Sequence, residues 1–325
     1  MDDTVLTANL AAMAAALPGD RLRPHVKAHK CTGLARRQEQ AGHRNFTCAT
    51  LSEMEAMSRA GLGTDLLLAN EVLDASRLTP LVEGGARVTV AVDSPETVEA
   101  AVRARVPEVL IDVNVGLPRC GCDPDAAGRL ADHARRLGLV VRGVMGYEGH
   151  AVGLEDRAER SRQVEESMAL LAAASADVGG GVISAGGTGS FDINSVATEI
   201  QAGSYALMDT AYAKLGLPFG QALSVLATVI SVNRAGWAVA DCGLKALGMD
   251  HGNPQVAGGA TVWFCSDEHI TFSPAEGGAL PAVGEQIEVV PAHVDPTVAY
   301  HSRMHLVDPA RTAILDVWPV DMRGW

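Results

Sequence analysis

Short apolar runs alternate with segments of helical periodicity over the first two thirds of the chain. Val88–Val92, for example, is wholly apolar apart from one threonine, and a helix opens directly after it at Ser94-Pro95-Glu96, where proline suits the first turn. Strands that alternate with helices predict a parallel sheet. The predicted strands are Leu22–Ala28, Phe46–Ala49, Asp65–Ala69, Val88–Val92, Val109–Val115, Val140–Tyr147, Val182–Ala185 and Tyr205–Met208.

Eight strands within roughly 200 residues favour a closed (β/α)8 barrel, with an open doubly wound sheet as the alternative. The pattern predicts helices at 4–17, Thr32–Ala41, from a Ser52 cap onward, from Ser94 onward, Asp123–Leu137, 155–174 and, as a short helix, Ser195–Ala202.

The pattern changes after about residue 217, where β-like runs are separated by glycine, proline and asparagine. We expect no helix among these runs, so the sequence predicts a barrel domain over 4–216 and an all-β domain over 217–325. The runs are Val225–Val232, Trp237–Asp241, Val262–Cys265, Ile270–Phe272, Gln286–Val290 and Ala313–Trp318.

Composition narrows the class of partner. The net charge of −13 argues against a general nucleic-acid or anionic-membrane partner, and no apolar run reaches the length of a membrane span. The six cysteines show no CxxC pair and no disulfide spacing, and no signal peptide is visible, which favours free thiols in the cytoplasm. Cys120-x-Cys122 alone is a weak metal signal.

A basic cluster, Arg23-Pro24-His25-Val26-Lys27-Ala28-His29-Lys30, stands at the end of the first predicted strand. On a strand, His25, Lys27 and His29 would share one face. Cationic neighbours lower the pKa of a lysine, and only the neutral amine attacks a carbonyl. Lys27 is therefore a candidate for covalent bonding to a carbonyl group; the alternative is a solvated basic turn.

Polar clusters follow three later strands, at the barrel edge where catalytic groups collect. They are Asn114–Gly121, Tyr147–His150 and Ser184–Ser190. The last is a glycine-rich loop, which suits backbone N–H groups that bind a phosphate, although such loops also simply turn the chain.

Near the C-terminus, His293 and Asp295 would point the same way on a strand and could hold Zn²⁺, Mn²⁺ or Mg²⁺. Two protein ligands would leave positions for water and substrate. The alternative is a surface histidine and aspartate beside a turn. His301 and His305 are expected to be surface or structural residues.

The basic cluster resembles the Arg-Pro-His-x-Lys-Thr-His-Lys signature of the D-threonine aldolase and D-serine dehydratase group. These are pyridoxal-phosphate enzymes with an alanine-racemase-like barrel and a C-terminal β domain. The resemblance covers nearly the whole chain. Its further motifs are Gly-x-x-Arg-x-Gly at 116–121, Tyr147–His150, Gly186–Gly189, Gly203–Tyr205, Ser266–His269, His293–Thr297, Trp318–Val320 and Arg323-Gly324.

The resemblance implies that Lys27 bonds covalently to pyridoxal phosphate, that Arg119 lies beside its phenolic oxygen and that Tyr147 lies near its ring. The other cofactor-binding residues it implies are His25, Gly187, Thr188, Gly203, Ser204 and Tyr205. His293 and Asp295 resemble the metal pair. Dehydratases of the group usually carry His-x-Cys with zinc, so the harder aspartate shifts the preference toward Mn²⁺ or Mg²⁺.

The implied reaction is cleavage of a 3-hydroxy-D-amino acid, D-threonine or 3-hydroxy-D-aspartate, to glycine and an aldehyde in a homodimer. The base is expected to be His150 or a water on the metal, and residues 203–212 resemble the 3-hydroxy-D-aspartate branch. A dehydratase that forms a 2-oxo acid and ammonia is the alternative. A non-catalytic pyridoxal-phosphate carrier is disfavoured, because a carrier needs no metal and the chain has the His-x-Asp pair. A racemase would need a second base opposite Lys27, typically a tyrosine of the β domain. It is disfavoured because the tyrosine of that domain, Tyr300, lies outside any matching motif.

Two positions depart from the group. Ala28 replaces the usual threonine and so removes a hydroxyl near Lys27. We expect this to modify the site without abolishing it. In relatives a strand of the β domain precedes the first helix, and Met1–Leu6 resembles the tail of that strand running into the helix. This predicts either a β domain that lacks one strand or a misassigned start codon. Residues 1–3 would be the remnant of the strand.

Overall fold

A parallel seven-stranded sheet forms the scaffold of the N-terminal part of the computed structural model, which describes residues 1–324. Its strands lie side by side in chain order, and each pairs in parallel with the next. Leu67, Ala91, Leu110 and Met145 form a buried cluster on successive strands. The strands are β1 (Asn45–Cys48), β2 (Asp65–Leu68), β3 (Val88–Val92), β4 (Glu108–Asp112), β5 (Val140–Met145), β6 (Val182–Ala185) and β7 (Glu199–Ile200).

An extended segment at 22–25 closes this sheet into a barrel. Leu22 pairs in parallel with Ile200 of β7, and His25 pairs in parallel with Thr47 of β1. The backbone N–H of Arg23 donates to Ile200 at 2.9 Å, and that of Thr47 donates to Pro24 at 2.9 Å. The segment occupies the eighth strand position, so the predicted (β/α)8 barrel is confirmed and the open sheet is wrong.

The first predicted strand, 22–28, is too long. Val26–Ala28 is a 3₁₀ turn, and the N–H groups of His29 and Lys30 both donate to the carbonyl of Val26. The prediction that His25, Lys27 and His29 share one strand face is therefore wrong.

The last predicted strand, 205–208, is also wrong. Ser204–Ala206 is a 3₁₀ helix, and Met208 has a φ of 55°. β7 lies instead inside the predicted helix 195–202, because the N–H groups of residues 198 and 201 donate to Ile183 and Ala185 of β6 at 2.8 and 3.0 Å.

Helices follow most barrel strands, as the alternating pattern predicts. The cap of α3 is Thr50 rather than the predicted Ser52: the Thr50 hydroxyl accepts the N–H of Glu53, whose carboxylate accepts the N–H of Thr50. The helices are α1 (Asp3–Ala16), α2 (Thr32–Gln40), α3 (Leu51–Arg59), α4 (Thr79–Glu83), α5 (Pro95–Arg103), α6 (Ala127–Arg136), α7 (Arg157–Val178), α8 (Thr210–Ala213) and α9 (Val294–Tyr300).

The C-terminal part contains a six-stranded antiparallel sheet in the order β10-β13-β8-β9-β12-β11 and a hairpin, β14-β15. Asp2 forms an isolated parallel bridge with Val307 of β14. The prediction that this part contains no helix is wrong, because α9 lies among its strands. The strands are β8 (Val225–Asn233), β9 (Trp237–Ala240), β10 (Gln255–Val256), β11 (Thr261–Cys265), β12 (Ile270–Ser273), β13 (Gln286–Val290), β14 (Arg303–Val307) and β15 (Ile314–Pro319).

The described chain divides by its internal contacts into two compact units. The barrel unit comprises 10–203 with 321–324, and the C-terminal unit comprises 1–9 with 204–320. The domain boundary at 216/217 stays a prediction. Among residues 1–324 we find no helix with the length and hydrophobicity needed to cross a bilayer.

A buried ionic network lies at the end of the barrel where the strands begin. The guanidinium of Arg23 is 1% exposed and pairs with Asp65 at 2.9 Å and with Glu199 at 2.8 Å. Arg142 donates to the same Asp65 at 3.0 Å. Burial acts to lower the pKa of Arg23, but the two carboxylates outweigh it and raise that pKa. Arg23 therefore has a structural role, at the opposite end of the barrel from the strand ends that carry catalytic groups.

The substitution Arg23→Met should destabilise the fold by about 3–5 kcal/mol, because it leaves buried carboxylates without their shared cation. The free energy of unfolding in urea measures this. Arg105→Met removes a guanidinium that is 77% exposed and pairs with Glu83, so it should cost less than about 1 kcal/mol. Equal losses in the two variants would contradict a structural role for Arg23.

Candidate active site

Lys27 lies in the 3₁₀ turn directly after the eighth strand position, where the parallel strands end. His25 caps this turn, and its Nδ1 accepts the N–H of Lys27 at 3.5 Å. Burial, helped by the charges of Lys27 and Lys30, lowers the pKa of His25 well below its usual value. His25 is therefore a neutral imidazole beside the lysine.

Lys30, the second lysine of the basic cluster, has a different environment. Its ammonium pairs with Glu53, which is fully buried and caps α3. Lys30 is thus part of the connection between the Lys27 turn and α3.

The ring of Tyr147 brings three predicted cofactor residues together. The Nζ atom of Lys27 lies 5.9 Å from the ring centre, and the Cζ atom of Arg119 lies 5.5 Å from it. A Cβ added to Gly187 would be 3.4 Å from the ring. These residues come from the ends of different strands, as expected for a barrel active site.

Glu148 organises the glycine-rich loop, a role that the sequence did not reveal. It is fully buried, and it accepts the hydroxyl of Ser190 at 2.7 Å and the N–H of Gly186 at 3.2 Å. Burial raises the pKa of its carboxyl. The available signal was a carboxylate directly after a buried strand, between Tyr147 and Gly149. Thr188 is buried within this loop.

Gly203 is required by a close approach to the Lys27 turn. A Cβ at Gly203 would be 2.5 Å from the carbonyl oxygen of His25 and 3.1 Å from the Cβ of Ala28. Only glycine fits this position without a shift of the turn.

His150 is exposed, and its imidazole lies against the backbone of Gly116. A Cβ there would be 2.8 Å from the Cε1 atom of His150, and Gly116 has a φ of 125°. The imidazole therefore packs on the loop that carries Arg119.

In the C-terminal unit, His293 and Asp295 do not lie on a strand as predicted. His293 is the N-cap of α9 and Asp295 is in its first turn. The Oδ1 atom of Asp295 accepts the hydroxyl of Ser204 at 3.1 Å. Between the two, the N–H of Val294 donates to the buried Asp209 at 2.9 Å.

Tyr205, a predicted cofactor-binding residue of the same unit, is fully buried, and the centre of its ring lies 5.7 Å from that of Phe219.

His293 also belongs to a cluster that sequence reasoning missed. The donor atoms of Asp250, His251 and His293 lie within 4.8 Å of one another. The pairing joins residues 43 positions apart, and sequence spacing carries no signal for it. Imidazole and carboxylate are donor types that a divalent metal prefers, so His293 and Asp295 fit one by donor type, and Asp250 and His251 lie beside His293.

Two family models match the chain. The model described as "Alanine racemase, N-terminal domain" matches residues 2–210, and the one described as "Putative serine dehydratase domain" matches residues 222–307. The chain therefore belongs to the alanine racemase N-terminal domain family.

Characterised relatives narrow this class. The chain is 36% identical to D-threonine aldolase of Arthrobacter sp, covering 100% of this chain and 92% of that one. It is 33% identical to 3-hydroxy-D-aspartate aldolase of Paracoccus denitrificans, covering 94% and 86%. The solved D-threonine aldolase of Filomicrobium marinum superposes with a TM-score of 0.92 at 35% identity, covering 100% and 94%. The resemblance to the D-threonine aldolase group is confirmed.

A dehydratase is also among the relatives. D-threo-3-hydroxyaspartate dehydratase of Delftia sp. is 29% identical, covering 86% of this chain and 85% of that one.

The substitution Gly203→Ala should weaken binding of pyridoxal phosphate to the cofactor-free protein by about tenfold, since an added methyl group in a packed site costs about 1–3 kcal/mol. Absorbance titration measures the affinity. Gly181→Ala is the control, because a Cβ at Gly181 meets nothing within 4 Å. Unchanged affinity in Gly203→Ala would show that the turn tolerates the methyl group.

Proposed function

We propose that the chain catalyses retro-aldol cleavage of 3-hydroxy-D-amino acids, with D-threonine or 3-hydroxy-D-aspartate as substrate. The observation that carries the proposal is the placement of Lys27 and Arg119 on the same Tyr147 ring at the C-terminal end of the barrel. The names of the relatives support the same reaction. The net reaction breaks the Cα–Cβ bond, moves the hydroxyl proton to Cα and releases glycine and an aldehyde.

The barrel residues fit pyridoxal phosphate. Lys27 would bind its carbonyl carbon, Arg119 would lie beside its phenolic oxygen and Tyr147 would lie near its ring. The glycine loop with Thr188 would supply N–H and hydroxyl donors to its phosphate, and Glu148 holds that loop in place through Ser190 and Gly186. When bound, the cofactor supplies an electron sink for the pair released at Cα. His25, Gly187, Ser204 and Tyr205 complete the proposed cofactor-binding set.

A divalent metal would be held by His293 and Asp295. The aspartate is a hard ligand, which favours Mn²⁺ or Mg²⁺ over Zn²⁺. A hydroxyl that coordinates such a cation has a lower pKa. His150 is proposed to accept the hydroxyl proton, because it is exposed and held against the loop of Arg119.

The second candidate is dehydration to a 2-oxo acid and ammonia. The Delftia relative favours it, and so does the family model that matches residues 222–307. Asp295 argues against it, because dehydratases of the group usually carry cysteine at the matching position. A racemase is disfavoured, since Tyr300, the tyrosine of the predicted β domain, is half exposed at the end of α9.

We further infer that the enzyme acts as a homodimer in the cytoplasm. The dimer rests on the family resemblance. The cytoplasm is supported by the six cysteines, which form no disulfide within the described residues 1–324. Light scattering on the purified protein tests the dimer.

Incubation with D-threonine or with D-erythro- and D-threo-3-hydroxyaspartate should yield glycine and the matching aldehyde. Removal of divalent cations by EDTA should abolish turnover, and added Mn²⁺ should restore it, because the substrate hydroxyl then regains its cation. Product analysis by chromatography measures this. Ammonia and a 2-oxo acid in place of glycine would establish the dehydratase.

The substitution His150→Asn should lower kcat by about 10²–10⁴-fold, the usual contribution of a general base. The cofactor absorbance should not change. His305→Asn, at an exposed position on β14, is the control and should keep wild-type kcat. A wild-type kcat in His150→Asn would assign the proton to another acceptor.

A further inference from the structure

Asp250 makes a short hydrogen bond with the proposed metal ligand His293. The Nδ1 atom of His293 and the Oδ2 atom of Asp250 are 2.6 Å apart. The imidazole of His251 stacks on that of His293, with ring centres 4.0 Å apart and an interplanar angle of 9°. The His293 ring is therefore contacted at one nitrogen and on one face.

The backbone holds these two segments together. Gly248 forms an isolated antiparallel bridge with His293, and its N–H donates to the hydroxyl of Thr297 at 2.9 Å. The Thr297 hydroxyl donates in turn to the carbonyl of His293 at 2.7 Å. A Cβ at Gly248 would collide with the ring of Pro296. The approach of Asp250 to His293 is thus set by the packing of its loop on the start of α9.

The chemistry of imidazole gives this contact a consequence. A neutral imidazole has one N–H and one free lone pair. If Nδ1 carries the proton and donates it to a carboxylate, Nε2 is left as the ligand atom and the ring plane is fixed. The stacked ring of His251 limits rotation of the His293 ring further. A metal that is bound by an imidazole lies in the plane of the ring, and two parallel stacked rings have no point in common between their planes. His251 is therefore placed to support His293 rather than to share its metal.

We propose that Asp250 is a positioning residue that fixes the tautomer and orientation of His293 for metal binding. The inference rests on the proposed metal pair His293 and Asp295 and adds a residue to it. None of the family motifs quoted from the sequence contains Asp250.

The test is Mn²⁺ binding to metal-stripped protein, measured from the electron paramagnetic resonance signal of free Mn²⁺. Asp250→Asn should weaken the affinity by about 10–100-fold, the usual effect of losing such a partner. Asp267→Asn removes the same charge from a side chain that is 73% exposed and paired with Lys245. Its affinity should stay within about twofold of wild type, since salt screens exposed charges.

Further readouts separate positioning from damage to the fold. At saturating Mn²⁺, Asp250→Asn should recover most of the wild-type kcat, and its cofactor absorbance and metal-free melting temperature should not change. His251→Phe keeps a ring for the stack without a donor nitrogen, so it should keep near wild-type affinity. A loss in His251→Phe as large as that in Asp250→Asn would overturn the proposal in favour of a three-residue ligand set.

The outcomes distinguish the two levels of the account. If wild type binds Mn²⁺ and Asp250→Asn binds it equally well, Asp250 has no positioning role and the proposed function stands. If wild type binds no divalent cation, the metal-dependent function itself fails and the role of Asp250 fails with it.

Discussion

Closure of the parallel barrel is the constraint on which the rest of the structure depends. β7 and β1 each expose an edge that must be hydrogen-bonded, and the segment 22–25 satisfies both. Because the segment runs parallel to its neighbours, its last residues lie at the C-terminal end of the barrel. The turn that follows therefore presents Lys27 at the edge where Tyr147 and the glycine loop also end. The same segment carries Arg23 into the buried ionic network at the opposite end.

Buried carboxylates hold the loops of both units in place. Glu148 joins the loop after β5 to the glycine-rich loop through Ser190 and Gly186. Asp209 does the same in the C-terminal unit, where it accepts the N–H groups of Tyr212 and Val294. Burial raises the pKa of each carboxyl. N–H or O–H donors offset the cost of removing each carboxylate from water. Because these donors must point at the carboxylate, they restrict the surrounding backbone to one arrangement.

The sequence predicted most of the barrel because a short apolar run marks each of β2 to β6, even though Arg142 and Gly143 interrupt the run in β5. It failed where a contact distant in sequence decides the local structure. Residues 26–28 form a turn that packs against Gly203, and β7, only two residues long, is too short to show periodicity. α9 was missed although Asp295 and Pro296 occupy its first turn, which is a helix-start signal.

The candidate site was predictable to the same extent. Lys27, Arg119, Tyr147 and Gly187 lie after different strands of one parallel sheet, so their meeting follows from topology once the strands are known. The role of Glu148 depends on which loop its carboxylate faces, and the pairing of Asp250 with His293 depends on the packing of a loop against α9. The sequence carries no signal for the second pairing, and its only signal for Glu148 is the position of that carboxylate directly after a buried strand.

All other proposed roles in the barrel depend on which lysine binds the cofactor. The direct measurement is borohydride reduction of the protein with bound pyridoxal phosphate, followed by peptide mass mapping. The assignment of Lys27 predicts the cofactor's mass on that residue and none on Lys30, whose ammonium is held by the buried Glu53. Label on Lys30, or on neither lysine of the cluster, would contradict it.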